Sequence, residues 1–322
     1  MKRIDNIYDK GCSIDNLLLA DKIARKGKLK QSGVINFDKD FNQEIADLYR
    51  ELVTKTYKTS NYTTRTIYER KERVISILPY RDRVVHHAIM NVLEYMFVSV
   101  FTTDTYSCIK GKGTHCASRS LSNALKDIEN TQYYLQLDIK KFYPSVNHAI
   151  LKKLLRKKIK DKEMLWLLDG IIDSAPGLPI GNYLSQYFAN FYLAYFDHWI
   201  KEVKGVKYYF RYADDIVILH HSKAYLHHLF IEMQAYLMNE LKLTVKGNWK
   251  VSPVDDHGID FCGYIHRHFY KLVRKITKKN IARKVAKGIN RASKASCLGW
   301  LKHCNSRHLI KKLFPYEQSK II

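Results

Sequence analysis

The sequence predicts an α+β fold in which a small antiparallel sheet is backed by helices. Helical periodicity dominates about the first hundred residues, short apolar strands appear in the middle of the chain, and a long apolar helix lies between those strands. An order of strand, helices, strand hairpin, helix and strand is typical of one helix-backed sheet. With 322 residues, 46% of them hydrophobic, the chain can bury a substantial core as one large domain or as two to three subdomains.

The N-terminal part is predicted to be mainly helical, with one hairpin inserted. One helical face is formed by residues three or four apart, namely Phe41, Ile45, Leu48 and Leu52, and a second apolar pattern runs from Val84 to about Phe101. Between them, residues 61–78 alternate in a β-prone pattern around a charged turn at 69–73. We expect the basic tip of this hairpin to reach over a polyanionic ligand.

The middle of the chain supplies the predicted sheet. Residues 133–137 have the pattern of a buried strand that ends at Asp138. Residues 208–212 and 216–219 are predicted to form a hairpin whose tip carries Asp214 and Asp215. Helices are predicted at about 148–160, 162–173, 182–203 and 222–241. We expect the three carboxylates to converge on one edge of the sheet.

Three carboxylates at one sheet edge suit a reaction that needs two divalent metal ions. Joining a nucleotide to a growing strand requires deprotonation of a hydroxyl and stabilisation of a departing pyrophosphate, a task for two ions about 4 Å apart. Hard cations prefer carboxylate oxygens. Either acidic element alone is better explained by a turn or a helix cap. Their combination in apolar strands of a chain with net charge +24 favours the metal site.

The charge indicates nucleic acid as the partner. The 55 Lys and Arg residues outnumber 31 Asp and Glu residues and are spread along the chain among 23 Tyr residues, whereas a membrane surface would favour one basic amphipathic helix. Beyond Tyr264 the chain is strongly basic and is predicted to be a helical, nucleic-acid-facing part. The N-terminus lacks the apolar stretch of a signal peptide and no apolar run could span a bilayer. We therefore expect a cytoplasmic protein that makes no membrane contact.

Several ordered motifs resemble those of reverse transcriptases. The segment Tyr212-Ala213-Asp214-Asp215 resembles their YxDD signature, and residues 137–145 resemble their first metal-binding motif. Residues 73–75 and 79–85 resemble motifs of the fingers, and residues 258–264 resemble the primer-grip hairpin. The resemblance spans nearly the whole chain. It implies a right-hand polymerase with fingers over 1–130, a palm over 131–265 that contains the sheet, and a short basic helical thumb over 266–322.

The resemblance also implies roles for individual residues. Asp138, Asp214 and Asp215 would be the catalytic carboxylates that hold two Mg²⁺ ions, for which Mn²⁺ could substitute, and the carbonyl of Ile139 would be a further metal ligand. Tyr143 matches the aromatic steric gate that favours dNTPs over rNTPs. The other implied nucleotide-binding residues are Arg73, Lys71, Ile180, Gly181 and Lys250, the last as a general acid for pyrophosphate departure. The implied nucleic-acid-binding residues are Arg81, Arg83, Ser185, Gln186, Gly263, Tyr264, Lys278 and Lys279. For Lys71, Arg81, Arg83 and Lys250, a role as solvated positive charges stays open.

One segment bears on the kind of reverse transcriptase. Many members of the family have Gln-Gly followed four residues later by Ser-Pro, whereas this chain has Ile180-Gly181 and Ser185-Gln186. This variant resembles the bacterial and phage-encoded enzymes of diversity-generating retroelements, as do residues 81–88 and 111–115. That resemblance implies error-prone copying at template adenines, a dedicated structured non-coding RNA and an accessory protein. Related antiviral-defence enzymes share part of the pattern, so cDNA synthesis from a dedicated RNA, or non-templated or protein-primed synthesis, stays open, as does an RNA-binding scaffold without catalysis.

Overall fold

The computed structural model describes residues 3–68 and 72–315, and the chain divides into two compact units. Unit 1 comprises Met1–Thr102, Lys140–Asp197 and Leu237–Leu243, and unit 2 comprises Thr103–Ile139, His198–Tyr236 and Thr244–Ile322. The chain passes repeatedly from one unit to the other, so each is assembled from segments distant in sequence. Lys71, a predicted nucleotide-binding residue, lies outside the described residues.

The described chain contains fifteen α-helices and nine strands. In chain order the helices are α1 (Tyr8–Cys12), α2 (Ile14–Ala24), α3 (Ser32–Lys39), α4 (Phe41–Val53), α5 (Tyr80–Val100), α6 (Thr114–Ala124), α7 (Phe142–Ser145), α8 (His148–Arg156), α9 (Lys162–Ile172), α10 (Tyr183–His198), α11 (Lys223–Leu241), α12 (Val254–His257), α13 (Lys275–Ala286), α14 (Arg291–Leu301) and α15 (Arg307–Leu313). The strands are β1 (Thr63–Tyr68), β2 (Glu72–Ile77), β3 (Tyr133–Asp138), β4 (Tyr208–Tyr212), β5 (Asp215–His220), β6 (Lys250–Pro253), β7 (Ile259–Phe261), β8 (Tyr264–His266) and β9 (Lys271–Val273). In the described chain, no helix combines the length and the apolar composition needed to cross a membrane.

Unit 1 is helical apart from one hairpin. Helices α1 to α4 pack on α5, which buries a continuous apolar face around Val84, Leu93 and Phe97. The ring of Phe97 meets the ring of Phe191 on α10 edge to face, with centroids 5.4 Å apart. Strands β1 and β2 pair antiparallel from Thr63 opposite Ile77 to Tyr68 opposite Glu72. The two strands of the predicted hairpin and the predicted helix near residues 84–101 are thus confirmed, whereas residues 69–71 of the predicted basic tip lie outside the described residues.

Unit 2 contains the predicted antiparallel sheet, in the strand order β4-β5-β3-β6. Strand β3 is central and pairs antiparallel with both β5 and β6, as the near-continuous apolar run of a buried strand predicts. Helix α6 contributes Ala117 and Leu121 to the core beside the sheet, where they join Tyr134, Phe210 and Val217. The expected α+β class, with a sheet backed by helices, is confirmed.

The C-terminal part of unit 2 differs in detail from its prediction. Strands β7, β8 and β9 form a three-stranded antiparallel sheet, so strand structure continues to Val273 before the helices begin at Lys275. Strands of three residues are too short to give a periodic signal, which is why the segment after Tyr264 is predicted to be helical. The predicted helix 182–203 is also only partly correct, because α10 ends at His198 and a π-helical turn continues it to Val203. The predicted helix 148–160 ends at Arg156.

Candidate active site

Two predicted acidic residues stand opposite each other at the end of the four-stranded sheet. Strand β3 ends at Asp138, whose register partner on β5 is Asp215. Strand β4 pairs Tyr212 with the same Asp215, and Ala213 and Asp214 form the tip between β4 and β5. Opposite residues on adjacent antiparallel strands have neighbouring side chains. The structure therefore brings the three carboxylates to one sheet edge, and all three belong to unit 2.

The tip that carries Asp214 is fixed by two buried side chains. Ala213 has a φ of +54°, a left-handed conformation that costs a non-glycine residue about 1 kcal/mol. Its N–H donates to Ser107 Oγ at 3.0 Å, and Arg211 Nη1 donates to its carbonyl oxygen at 3.1 Å. Ser107 is 2% exposed and Arg211 is 0% exposed. Sequence reasoning missed both residues, although an arginine within an otherwise apolar strand is an unusual signal.

Burial and mutual repulsion raise the pKa of both carboxylates of the β4–β5 tip. Burial, with the adjacent Asp138 carboxylate, raises the pKa of Asp214 to about 6. Burial raises the pKa of Asp215 to about 7, against the opposing effect of a hydrogen bond from Gln136 and with a further increase from Asp138 and Asp214. Like charges crowded in a poorly solvated site oppose each other's ionisation. A cation bound here would relieve that repulsion.

The ammonium group of Lys246 lies beside these carboxylates. Lys246 Nζ donates to Asp138 Oδ2, while Asp138 Oδ1 is buried and accepts no hydrogen bond from the described residues. Within residues 3–68 and 72–315, no three His, Cys, Asp or Glu side chains lie in an arrangement that would bind a metal ion without rearrangement. Asp138 Oδ1 is a buried carboxylate oxygen without a donor, and the neighbouring Asp214 and Asp215 have raised pKa values. This arrangement nonetheless suits a hard divalent cation, because such an ion can take the place of the missing hydrogen-bond donor.

A second layer of contacts orients Asp215. Gln136 Nε2 donates to Asp215 Oδ1 at 3.2 Å and to the carbonyl oxygen of Asp260 at 2.8 Å. The side chain of Asp260 in turn accepts from Arg274 Nε. Gln136 thereby links the catalytic candidate Asp215 on β5 to strand β7. The sequence predicted no role at the site for Gln136, Asp260 or Arg274.

In unit 1, one loop lies against the turn that carries Tyr143. Leu178 N donates to the carbonyl oxygen of Tyr143 at 2.8 Å. Gly177 has a φ of +61°, and a Cβ there would lie 2.6 Å from the carbonyl oxygen of Pro144. Only glycine permits so close an approach of the two backbones. The loop 177–181 is therefore packed directly on the steric-gate candidate.

The same loop is joined to the hairpin of β1 and β2. Ser76 N on β2 donates to the carbonyl oxygen of Ile180 at 2.8 Å. Gly181 has a φ of +116°, and a Cβ there would lie 2.7 Å from the carbonyl oxygen of Ser76. Strand β2 also carries Arg73. Four predicted nucleotide-binding residues of unit 1, Arg73, Tyr143, Ile180 and Gly181, thus belong to connected segments.

Several predicted nucleic-acid contacts have other partners in the structure. Arg81 is paired with Glu51 at 2.8 Å, and Arg83 Nε donates to the carbonyl oxygen of Leu78 at 3.1 Å. Ser185 is 3% exposed and Tyr264 is 0% exposed, so a nucleic-acid strand cannot touch these side chains in this structure. By contrast, Gln186 is half-buried, and Lys278 and Lys279 of α13 lie on the surface of unit 2.

The remaining predictions concern three positions of unit 2. The ammonium of Lys250 lies over the ring of Tyr134, 5.2 Å from its centroid, whereas Lys246 holds the contact with Asp138. Ile139 is fully buried, and its backbone forms an isolated antiparallel β-bridge with that of Val245. A Cβ at Gly263 would lie 2.6 Å from the ring of Trp300, so this glycine permits close packing of the β7–β8 turn.

Sequence comparison finds relatives among bacterial and intron-encoded proteins. Protein YkfC of Escherichia coli is 25% identical over 280 residues, which covers 71% of this chain and 72% of YkfC. The group II intron-encoded protein LtrA of Lactococcus lactis is 23% identical over 146 residues, which covers 42% of this chain and 24% of LtrA.

Structural comparison finds the same fold in a telomerase. The structure of apo telomerase from Candida tropicalis matches with a TM-score of 0.52 at 14% identity, over 68% of this chain and 49% of the telomerase chain. This chain therefore spans about half the length of that protein. The likeness shows the right-hand polymerase fold. The family model described as reverse transcriptase (RNA-dependent DNA polymerase) matches residues 58–266, and the chain belongs to that family.

Proposed function

We propose that this chain synthesises DNA on an RNA template, with Asp138, Asp214 and Asp215 as its catalytic carboxylates. The observation that carries the proposal is the placement of these acids on paired strands and their connecting tip at one sheet edge. A protein that only binds RNA has no need for three repelling carboxylates in a field of positive charge. Family membership supports the same reaction.

The site would hold divalent metal ions, as Mg²⁺ or Mn²⁺. Asp138, Asp214 and Asp215 would be the ligands, with the Ile139 carbonyl oxygen as a further one. When bound, such ions neutralise the triphosphate and favour ionisation of the primer hydroxyl. Gln136 keeps Asp215 oriented, and Ser107 and Arg211 hold the tip that carries Asp214.

The substrates of the proposed reaction are dNTPs, a primer and an RNA template, with cDNA as the product. Tyr143 would exclude the ribose 2′-hydroxyl, and Arg73 would bind the triphosphate, because a guanidinium group suits phosphate oxygens. Within the proposal, fingers occupy residues 1–130, the palm 131–265 and the basic thumb 266–322. The exposed lysines of α13 would contact the nucleic-acid backbone.

We further infer that copying is error-prone at template adenines, as in a diversity-generating retroelement. The inference rests on Ile180, whose aliphatic side chain cannot donate the hydrogen bond available to the Gln of many relatives. Loss of one positional hydrogen bond worth about 1 to 2 kcal/mol relaxes selection by roughly tenfold. A dedicated structured RNA and an accessory protein would then be its partners. The competing role is an antiviral-defence enzyme with ordinary or non-templated synthesis.

Primer extension on an RNA template tests the polymerase activity. The purified protein, supplied with dNTPs and Mg²⁺ or Mn²⁺, should extend the primer, and Asp214→Asn should abolish extension. RNA binding should remain, because it arises from the dispersed positive charge. Asp256→Asn, at an exposed acid on α12, is the matched control and should retain activity. Full synthesis by Asp214→Asn would refute the assignment.

Sequencing of the cDNA tests the finer inference. A template balanced in all four bases should give misincorporation concentrated at adenine, and Ile180→Gln should reduce it. Equal and low error rates at A, C, G and U would exclude the mutagenic role and favour the antiviral one. Products unrelated to the template would instead identify non-templated synthesis.

A further inference from the structure

Five basic side chains of unit 2 gather outside the carboxylate site. The histidine–lysine cluster comprises His115 and Arg119 on α6, Lys271 on β9, and Lys302 and His303 after α14. The imidazole rings of His115 and His303 are stacked, with centroids 3.9 Å apart and planes 26° apart. Three separate chain segments therefore bring five cationic or protonatable groups together.

The cluster has a fixed base. The His115 ring meets the Trp300 indole edge to face at 5.6 Å, and Tyr264 packs on the same indole at 5.4 Å. Lys271 is half-buried; its Nζ donates to Ser118 Oγ at 3.0 Å and lies 5.1 Å from the centroid of the Tyr264 ring. These contacts hold the Lys271 side chain in place, unlike the mobile lysines of a solvated surface.

Burial and positive charge both act on the two histidines of the cluster. Burial lowers the pKa of His115, and Lys271, Lys302 and Arg119 lower it further. Burial likewise lowers the pKa of His303, with His115 and the same three cations adding to the effect. The largest charge effects on both histidines come from basic side chains. Burial and the surrounding positive charge therefore both disfavour protonation of the two imidazoles.

The neighbouring groups fix where a proton would enter. The hydroxyl of Tyr264 donates its one proton to the carbonyl oxygen of Trp300, at 3.0 Å. In its contact with His115 Nδ1, at 3.2 Å, the same hydroxyl is therefore the acceptor and Nδ1 carries the proton. The remaining nitrogen, Nε2, is then the proton acceptor of the neutral His115 ring. Two further groups face Lys271 and stay uncharged: burial and the Lys271 charge lower the pKa of His266 to about 3, and burial raises the pKa of the Cys304 thiol.

We propose that the histidine–lysine cluster binds one backbone phosphate of a nucleic acid and that His115 and His303 take up protons when the phosphate arrives. An anion reverses the local field that keeps the imidazoles neutral, so protonation and phosphate binding reinforce each other. The choice of nucleic acid rests on the proposed function and on the net charge of +24. Free inorganic phosphate has the same ligand chemistry and is distinguished in the test.

Binding of a labelled RNA–DNA primer–template, measured at pH 6 and pH 8 at constant salt and without dNTPs or divalent ions, tests the proposal. We expect the His115→Gln, His303→Gln double variant to lose roughly tenfold in affinity at pH 6 and little at pH 8. Lys302→Gln, at an exposed rim position, should weaken binding and reduce the slope of log affinity against log salt by about 1. Lys126→Gln, an exposed lysine just beyond α6, is the control for general charge.

Calorimetric titration in buffers of different ionisation enthalpy counts the protons taken up. Uptake by the wild type that disappears in the double variant supports the proposal. Equal affinity and equal proton uptake in the wild type and both variants would overturn it, and Lys302→Gln decides the case if the double variant does not fold. Displacement of the primer–template by millimolar inorganic phosphate, with the same variant dependence, would assign the site to free phosphate instead. Because Asp214→Asn should bind normally here, failure of catalysis and failure of this site remain distinguishable.

Discussion

Replacing Asp215 by asparagine should stabilise the metal-free protein while abolishing its activity. Asp215 is held in a poorly solvated site near two other carboxylates, and burial raises its pKa to about 7. Asparagine has nearly the same shape, and its Oδ1 can still accept the hydrogen bond from Gln136. The substitution therefore removes the repelled charge and keeps the packing.

The pKa shift sets the size and the pH range of the effect. A carboxyl group whose pKa is raised on folding binds its proton more tightly in the folded state, so wild-type stability falls as pH rises from about 4 to about 7. A shift from 3.8 to about 7 corresponds to about 4 kcal/mol. Because Asp215 is partly solvent-accessible and its charge is coupled to that of Asp214, we expect a gain of roughly 1 to 3 kcal/mol at pH 8. The gain should be about a third as large at pH 5.

Thermal unfolding in the presence of a chelator measures the effect. An unfolding entropy of about 2.1 cal/mol/K per residue converts the expected gain to a rise of roughly 2 to 4 °C at pH 8. The matched control Asp256→Asn removes a charge from an exposed acid and should change stability by no more than about 0.5 kcal/mol. A destabilised Asp215→Asn protein at pH 8, or a gain independent of pH, would refute the electrostatic account of the site.

Three further predictions follow from the same geometry. Tyr143→Ala should admit rNTPs in single-nucleotide extension assays, and a folded, active variant that still rejects them would show that Tyr143 is not the gate. Gly181→Ala should destabilise the protein by roughly 2 to 4 kcal/mol, because its Cβ would meet the backbone of Ser76, whereas Gly170→Ala in α9 meets nothing within 4 Å and should be neutral or stabilising in thermal unfolding. Ser107→Ala should lower kcat roughly tenfold with little change in the KM for dNTPs, since it releases the tip that carries Asp214, and an unchanged kcat would contradict that role.

The sheet and its acidic edge were predictable because their signals are local. Residues 133–138 and 208–220 have apolar runs of strand length that end in polar residues, and β3, β4 and β5 follow these bounds closely. The two residues between Tyr212 and Asp215 fix how the two strands pair. The position of Asp138 opposite Asp215 depends in addition on the long-range pairing of β3 with β5, whose register the turn does not determine.

The supports of that edge were not predictable, because each depends on a contact between distant segments. Ser107 reaches Ala213 across 106 positions of sequence, and Gln136 reaches Asp260 across 124. No periodicity encodes such pairs, and a serine or glutamine in a loop or strand has many ordinary roles. The division of the predicted nucleotide-binding residues between two units is likewise a property of the tertiary structure.

A backbone contact decides which lysine lies at the carboxylates in this structure. Lys250, which the family resemblance implies as a general acid, begins β6 in register with Gln136. The chain before β6 nevertheless stays beside the end of β3, because Lys246 N donates to the carbonyl oxygen of Asp138 at 2.9 Å and Val245 bridges Ile139. This backbone bond places the Lys246 ammonium, and not that of Lys250, against the Asp138 carboxylate. Any divalent ion that binds there must share Asp138 with Lys246 or displace it, so the affinity of the site for metal depends on this lysine as well as on the three acids.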